Sequence, residues 1–244
     1  MELLRSTSGK ILVEAHRGAS TLAPENSWAA LLAAQEGGAD IIEVDVQITA
    51  DEVPILYHPY RLPGGSLLRA APSSAIAGLD AGDGRPPPRL DEVLAWGKEH
   101  GVLLALDVKN GFGQGVLPFA RVLQMVVQAG MVEQVMMAAL DHMGLLWAKR
   151  HEPALTTRAV LRGNPLDLVA MAQRTEVDAL GLSYDLIDRS DVEALHEVGI
   201  AVMIGRLWEP NFRYPVDLGV DIISWSDPAE AIFALAQQGA HEQR

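Results

Sequence analysis

Apolar, β-branched runs recur along this chain between stretches whose apolar residues return every three or four positions, which predicts strands alternating with helices. Strands are expected at Ile11–Ala15, Ile41–Ile48, Val102–Val108, Val135–Leu140, Thr157–Leu161, Ala179–Ser183, Ala201–Ile204 and Asp221–Trp225, with a short extended piece at Ile55–His58. Helical patterns between them include Glu25 to Gly37, Leu90–His100, Val116–Ala129, Gly144–Lys149, Pro165–Gln173 and Asp191–Val198. Pro24 before the first helix and Gly37-Gly38 after it are ordinary punctuation. Residues 61–88, rich in Gly, Pro, Ala and Ser, read as an irregular excursion. Eight strand–helix units imply a parallel sheet with right-handed crossovers, and at 244 residues they favour a closed TIM (β/α)8 barrel over an open sheet. No shift in composition marks a boundary, so residues 1–244 are expected to form one barrel domain with a short insertion after the second strand.

Composition narrows the chemistry. Hydrophobic residues make up 49% of the chain, enough for a substantial core. With no cysteine, disulfides, thiolate nucleophiles and zinc–sulfur sites are excluded. A net charge of −13 argues against nucleic acid as a partner. No apolar run is long enough to span a bilayer and the N-terminus lacks a secretory pattern, so a cytoplasmic protein without stable membrane association is expected. An anionic substrate would need local positive charge, which a bound divalent cation could supply.

The C-terminal ends of barrel strands gather the active site in this fold. There the chain carries His16-Arg17-Gly18, then Glu43-Val44-Asp45, then His58, then Asp107-Val108-Lys109. Glu43 and Asp45 are two apart on a strand and share a face, while Ile42, Val44 and Val46 turn to the helices. Two inward carboxylates are costly to bury unpaired, and Mg2+ or Ca2+ removes that cost, with Asp107 as third ligand. The alternative is that the acids pair with Arg17 and Lys109 without metal. His16 and His58 could act as general acid and base, Arg17 could bind phosphate oxygens, and Lys109 could neutralise charge in the transition state. His100, His142, His151, His196 and His241 read as structural or surface residues. No serine-nucleophile elbow, P-loop or dinucleotide fingerprint is present.

At these residues the sequence resembles the glycerophosphodiester phosphodiesterase family. HRGAS at 16–20 and APENSWAALLAAQEGGADIIEVDVQITADEVPILYH at 23–58 carry the resemblance most specifically. PRLDEVL at 88–94, LALDVK at 104–109, ALDH at 139–142, LSYDLIDRSDVEALHEVGIAV at 182–202 and GVDIISWSDP at 219–228 continue it. The resemblance implies a metal-dependent hydrolase with Glu43, Asp45 and Asp107 as metal ligands and His16 and His58 as acid/base pair. It further implies that Arg17 and Lys109 contact phosphate, with Mg2+, Ca2+ or Mn2+ as cofactor and a small-molecule phosphodiester as substrate. Glu25 and Asn26 match the family's PEN segment and are expected mainly to start a helix.

Four departures touch the surroundings of this set. Pro59 stands where aspartate usually follows the second histidine, and Asp107 stands where glutamate is usual. The 61–88 excursion is short, and MIGRLWEP at 203–210 replaces a tryptophan motif, with Trp208 or Trp225 as possible substitute walls. A more open pocket would suit a sugar phosphodiester of the agrocinopine type as an alternative substrate. A non-catalytic phosphodiester-binding barrel and a lipid-directed phospholipase are the rivals. The second calls for an exposed apolar or basic rim, for which the acidic composition gives no support.

Overall fold

Eight parallel strands close on themselves into a barrel in the computed structural model, which describes residues 1–111, 113–205 and 211–239. In chain order the strands are β1 (Leu12–Ala15), β2 (Ile41–Ile48), β3 (Pro54–Leu56), β4 (Leu104–Val108) and β5 (Val135–Ala139). They continue as β6 (Thr156–Val160), β7 (Ala179–Ser183), β8 (Ala201–Gly205) and β9 (Ile222–Trp225). The ring runs β1–β2–β4–β5–β6–β7–β8–β9, and β9 returns to β1. Among the described residues only β3 is antiparallel, lying against the end of β2 with Val46 opposite Leu56.

The helices are α1 (Arg5–Ser8), α2 (Trp28–Glu36), α3 (Ser73–Ile76), α4 (Leu90–His100) and α5 (Leu117–Ala129). Then come α6 (His142–His151), α7 (Leu168–Thr175), α8 (Arg189–Glu197), α9 (Arg213–Leu218) and α10 (Pro228–Ala236). Asp141, Asp167, Asp188 and Asp227 cap α6, α7, α8 and α10, accepting from the first free backbone N–H groups. This is a TIM barrel, and the expected strand order holds throughout.

β2 is buried along its whole length because its two faces have different tasks. Ile42, Val44 and Val46 pack into the layer between barrel and helices, while Glu43 and Asp45 face the barrel's interior pocket. The lower interior is apolar, filled by Leu12, Ile41, Ala105, Met136, Ala179 and Ile222, with Leu3 packed against them. Polar chemistry is thereby confined to the upper end.

Two sequence expectations need correction. The first helix begins at Trp28, not Glu25, because Asn26 has φ 56° and Ser27 is the cap. The 61–88 excursion is less irregular than expected. It contains α3, and Leu62, Leu68, Ala71 and Ile76 form a small apolar cluster with Ile55 of β3. Among the described residues no helix is long and apolar enough to cross a membrane.

Candidate active site

The loop after β1 is built for one geometry. Arg17 and Gly18 both have positive φ, 59° and 76°, and their backbone N–H groups donate to Glu43, the first to Oε2 over 2.8 Å and the second to its carbonyl over 3.1 Å. A Cβ at Gly18 would lie 2.7 Å from the Ala30 carbonyl, so only glycine fits. Asn26 returns to this loop, its N–H donating to the Arg17 carbonyl over 3.0 Å.

Strand register brings the acids together. Asp45 of β2 pairs directly with Asp107 of β4, and Glu43 lies two residues below. One oxygen from each of Glu43, Asp45 and Asp107 can be chosen so that all lie within 4.8 Å of one another. The shorter Asp107 therefore still reaches the cluster. Lys109 Nζ donates to Asp107 and to Asp45 Oδ1, the latter over 2.6 Å. Arg17 Nε forms an ion pair with Asp45 Oδ2 at 3.2 Å, out of line for a hydrogen bond.

These contacts divide the carboxylates electrically. Burial works to raise Asp45, but Lys109, Arg17 and Asn26 outweigh it and hold that carboxyl below its ordinary range. Among the described residues the Glu43 carboxylate accepts only the Arg17 backbone N–H, and burial together with Asp45 and Asp107 pushes it well above the carboxylate range. Lys109 stays firmly protonated, the attraction of Asp107 and Asp45 overriding its own burial.

His16 follows β1, its N–H donating to the Trp225 carbonyl over 3.0 Å. Burial, with Arg17 beside it, lowers its pKa to about 4. His58 is placed by Gln47, the next inward residue of β2, whose amide donates to the carbonyls of Tyr57 and Pro59 over 2.7 and 2.8 Å. Pro59 lacks an N–H but contributes the carbonyl this anchor needs. The Arg17 guanidinium lies against the His58 ring, with 3.1 Å from Nη1 to Nδ1 and from Nη2 to Nε2. A neutral imidazole has one acceptor nitrogen, so these are not two hydrogen bonds. Glu25 joins both, 2.6 Å from Arg17 Nη1 and 3.5 Å from His58 Nδ1.

All seven residues singled out in the sequence line one pocket of about 320 Å3. Two buried charged residues of the pocket escaped the sequence reading. Glu14 of β1 and Arg158 of β6 pair across the barrel interior at 2.5 Å, with side chains 0% and 2% exposed. A signal existed, because Glu14 is two before His16 and so shares its face. Glu25 and Asn26, expected mainly to begin a helix, instead contact Arg17, His58 and Asp45. Trp225 lines the pocket and its indole N–H donates to Glu230 over 2.7 Å. Trp208 and His241 lie outside the described residues. His100 and His151 bond the backbone of their own helices, His142 contacts the Val160 carbonyl, and His196 pairs with Asp221.

Residues 16–208 match the glycerophosphoryl diester phosphodiesterase family. The chain is 28% identical to the glycerophosphodiester phosphodiesterase of Caldanaerobacter subterraneus subsp. tengcongensis, across 94% of this chain and 99% of that relative. Its fold is similar to that of a phosphodiesterase from Oleispira antarctica, solved in complex with the product sn-glycerol-3-phosphate. That likeness has a TM-score of 0.86 at 22% identity and covers 95% of this chain and 99% of the other. A glycerophosphodiester phosphodiesterase from Parabacteroides distasonis gives a TM-score of 0.86 at 22% identity, covering 94% and 98%. The two structures speak to fold, and the match over residues 16–208 speaks to kinship. The chain therefore belongs to the glycerophosphoryl diester phosphodiesterase family and is a phosphoric diester hydrolase on a TIM barrel.

Proposed function

We propose that this chain hydrolyses a phosphodiester of the glycerophosphodiester type with one divalent cation, Mg2+ or Ca2+, with Mn2+ as a substitute, releasing an alcohol and a phosphomonoester. The observation that carries this reading is the convergence of Glu43, Asp45 and Asp107 with His16, Arg17 and His58 in one pocket.

The residues fit a hard cation. The donor set is all oxygen, and the buried Glu43 carboxylate has a single backbone donor among the described residues while its neighbours resist its ionisation. Glu14 is already paired with Arg158, so within the cluster three carboxylates, Glu43, Asp45 and Asp107, face two permanent cations, Arg17 and Lys109. A dication held by Glu43, Asp45 and Asp107 would offset the repulsion among the three acids. When bound it would polarise a phosphoryl oxygen and offset charge building at phosphorus.

Arg17 and Lys109 offer N–H donors to the other phosphoryl oxygens. His16, kept neutral by burial, takes the proton of the nucleophile, which is water or a neighbouring substrate hydroxyl. His58, with Glu25 facing its Nδ1, returns a proton to the leaving oxygen. The test is hydrolysis of glycerophosphodiesters and sugar phosphodiesters in EDTA, then with Mg2+, Mn2+ or Ca2+ restored. Cleavage lost to EDTA and regained with metal is expected. Turnover indifferent to EDTA would remove the cation from this reading, and no turnover of any diester would reduce the chain to a binding barrel.

A further inference from the structure

A second cavity, of about 430 Å3, lies between α2, β3, α3 and the segment leading into α4. It shares no lining residue with the catalytic pocket. Sites for small molecules commonly measure about 300–1,000 Å3 and set a few polar groups in mostly apolar walls. Here Trp28, Ile55, Ile76, Pro86 and Pro87 supply the apolar walls. Trp96 packs against Trp28 nearly at a right angle, with ring centroids 6.0 Å apart, and so fixes the tilt of the indole that lines the cavity.

The polar groups of this cavity are not equivalent. Arg89 is engaged by Asp91, Nε donating to Oδ1 over 2.9 Å and Nη2 to Oδ2 over 3.1 Å, and Glu92 accepts the Arg89 backbone N–H over 3.2 Å. Ser73 donates to Asp51. The side chains of Arg85 and Ser74 have no hydrogen-bond or ion-pair partner among the described residues. Arg85 thus lines the cavity as an uncompensated cation, in a chain of net charge −13. Its backbone is held in place. The Ala81 N–H donates to the Arg85 carbonyl over 2.8 Å, and Asp83 accepts the N–H groups of Arg85 and Ala29, each over 3.1 Å, which ties this loop to the start of α2. A guanidinium with no internal partner, fixed at a cavity that also presents an indole, suits a flat anion. With Glu92 also in the lining, one free guanidinium matches a single negative charge better than a dianionic phosphate.

We propose that this cavity is a second ligand site, for a small aromatic carboxylate, with the carboxylate on Arg85 and Ser74 and the ring against Trp28 between Ile76 and Pro87. The site stands independently of the hydrolytic reading above, since none of its residues lines the catalytic pocket. Ligand and phosphodiester can be bound at the same time.

The experiment is calorimetric titration of the full chain with 1-naphthaleneacetate and with its neutral counterpart 1-naphthaleneacetamide. EDTA is present throughout, so that no cation draws a carboxylate to the catalytic pocket. The acid is expected to bind with a Kd of about 1 mM or tighter, the range its size permits. It should bind at least about fivefold more tightly than the amide, because the bond to Arg85 is charge-assisted. Arg85→Ala should erase that difference while leaving the weaker affinity for the amide, which also shows that the cavity persists in the variant. Ala77→Trp, which fills the cavity from an exposed position in its lining, should abolish binding of both compounds without lowering the Tm. Three results would each overturn the proposal: no saturable binding of the acid, equal affinity for acid and amide in the wild type, or binding of the acid unchanged in both variants.

Discussion

Asn26 holds Asp45 at two points: its Nδ2 donates to Oδ2 over 2.8 Å, and the Asp45 backbone N–H donates to its Oδ1 over 2.9 Å. The contact joins the loop after β1 to the middle of β2, and Asn26 adopts φ 56° to make it. With Lys109 on the other oxygen, both oxygens of Asp45 are engaged and the carboxylate is fixed in rotation.

Asn26→Ala should therefore lose both the hydrogen bonds and a residue tolerant of left-handed backbone, destabilising the protein by about 3 kcal/mol. Asn26→Gly spares the backbone part. Both variants should bind Mg2+ about tenfold more weakly or worse, since a residue that orients a ligand sets the site's affinity. Urea melts and calorimetric titration separate the two effects. Unchanged metal affinity in Asn26→Gly would show that Asp45 needs no such orientation.

Lys109 stands between two acids, and its side chain is 12% exposed. Lys109→Met leaves Asp45 and Asp107 facing each other without it. Breaking a buried pair in this way costs about 3 kcal/mol or more. In EDTA the variant should melt well below the wild type. Added Mg2+ should raise its Tm further than it raises the wild type's, because the ion then replaces a missing cation. Equal shifts in both proteins would mean that Lys109 and the metal do not share these carboxylates.

The barrel and the acid cluster were legible because period-two alternation is local. In IIEVDVQI, every second residue faces the barrel interior, so Glu43 and Asp45 can be placed before any contact is known. Pairings that depend on ring closure are not local. The two residues of the Glu14–Arg158 bond are 144 positions apart, and β1 and β6 are not neighbours in the sheet. Alternation says that both point inward and is silent on the partner. Asn26 was obscured for a different reason. A Pro-Glu-Asn segment before an apolar periodic run reads as a helix start, and only the observed left-handed turn moves that start from Glu25 to Trp28, with Ser27 as the cap.

The Glu14–Arg158 pair should behave as a buried ion pair usually does. Removing either charge strands the other, so Arg158→Met and Glu14→Leu should each destabilise by about 3–5 kcal/mol. The double variant should recover most of that loss, because two apolar side chains can fill the space without a charge to desolvate. Thermal melts of all four proteins form the double-mutant cycle. Additive losses in the double variant would show that the two side chains act independently.

The proposed division between the histidines can be separated by leaving group. An alcohol needs a proton as it departs, whereas p-nitrophenolate does not. His58→Ala should therefore lose most of its rate on glycerophosphocholine, by about 100-fold or more, and much less on a p-nitrophenyl phosphodiester. His16→Ala should be slow on both. Equal losses for His58→Ala on the two substrates would take the acid role away from it.

Stability should also report the state of His16. Its pKa in the folded protein is lowered to about 4, against 6.5 for a free imidazole. Between those values the unfolded chain binds a proton that the folded chain refuses, so this residue's contribution makes stability rise with pH across the window. The penalty grows as pH falls from 6.5 towards 4 and is absent above 6.5, with a slope no steeper than about 1.4 kcal/mol per pH unit. Glu43, whose pKa is raised, acts in the opposite sense, so the total curve mixes both. The difference between wild type and His16→Gln isolates the imidazole. Urea melts in EDTA at pH 5 and pH 7 should show the wild type gaining more than the variant on going to pH 7. Parallel gains would mean that His16 titrates as an ordinary solvated histidine, and the proposed base would then be partly protonated, and partly unavailable, near pH 6.5.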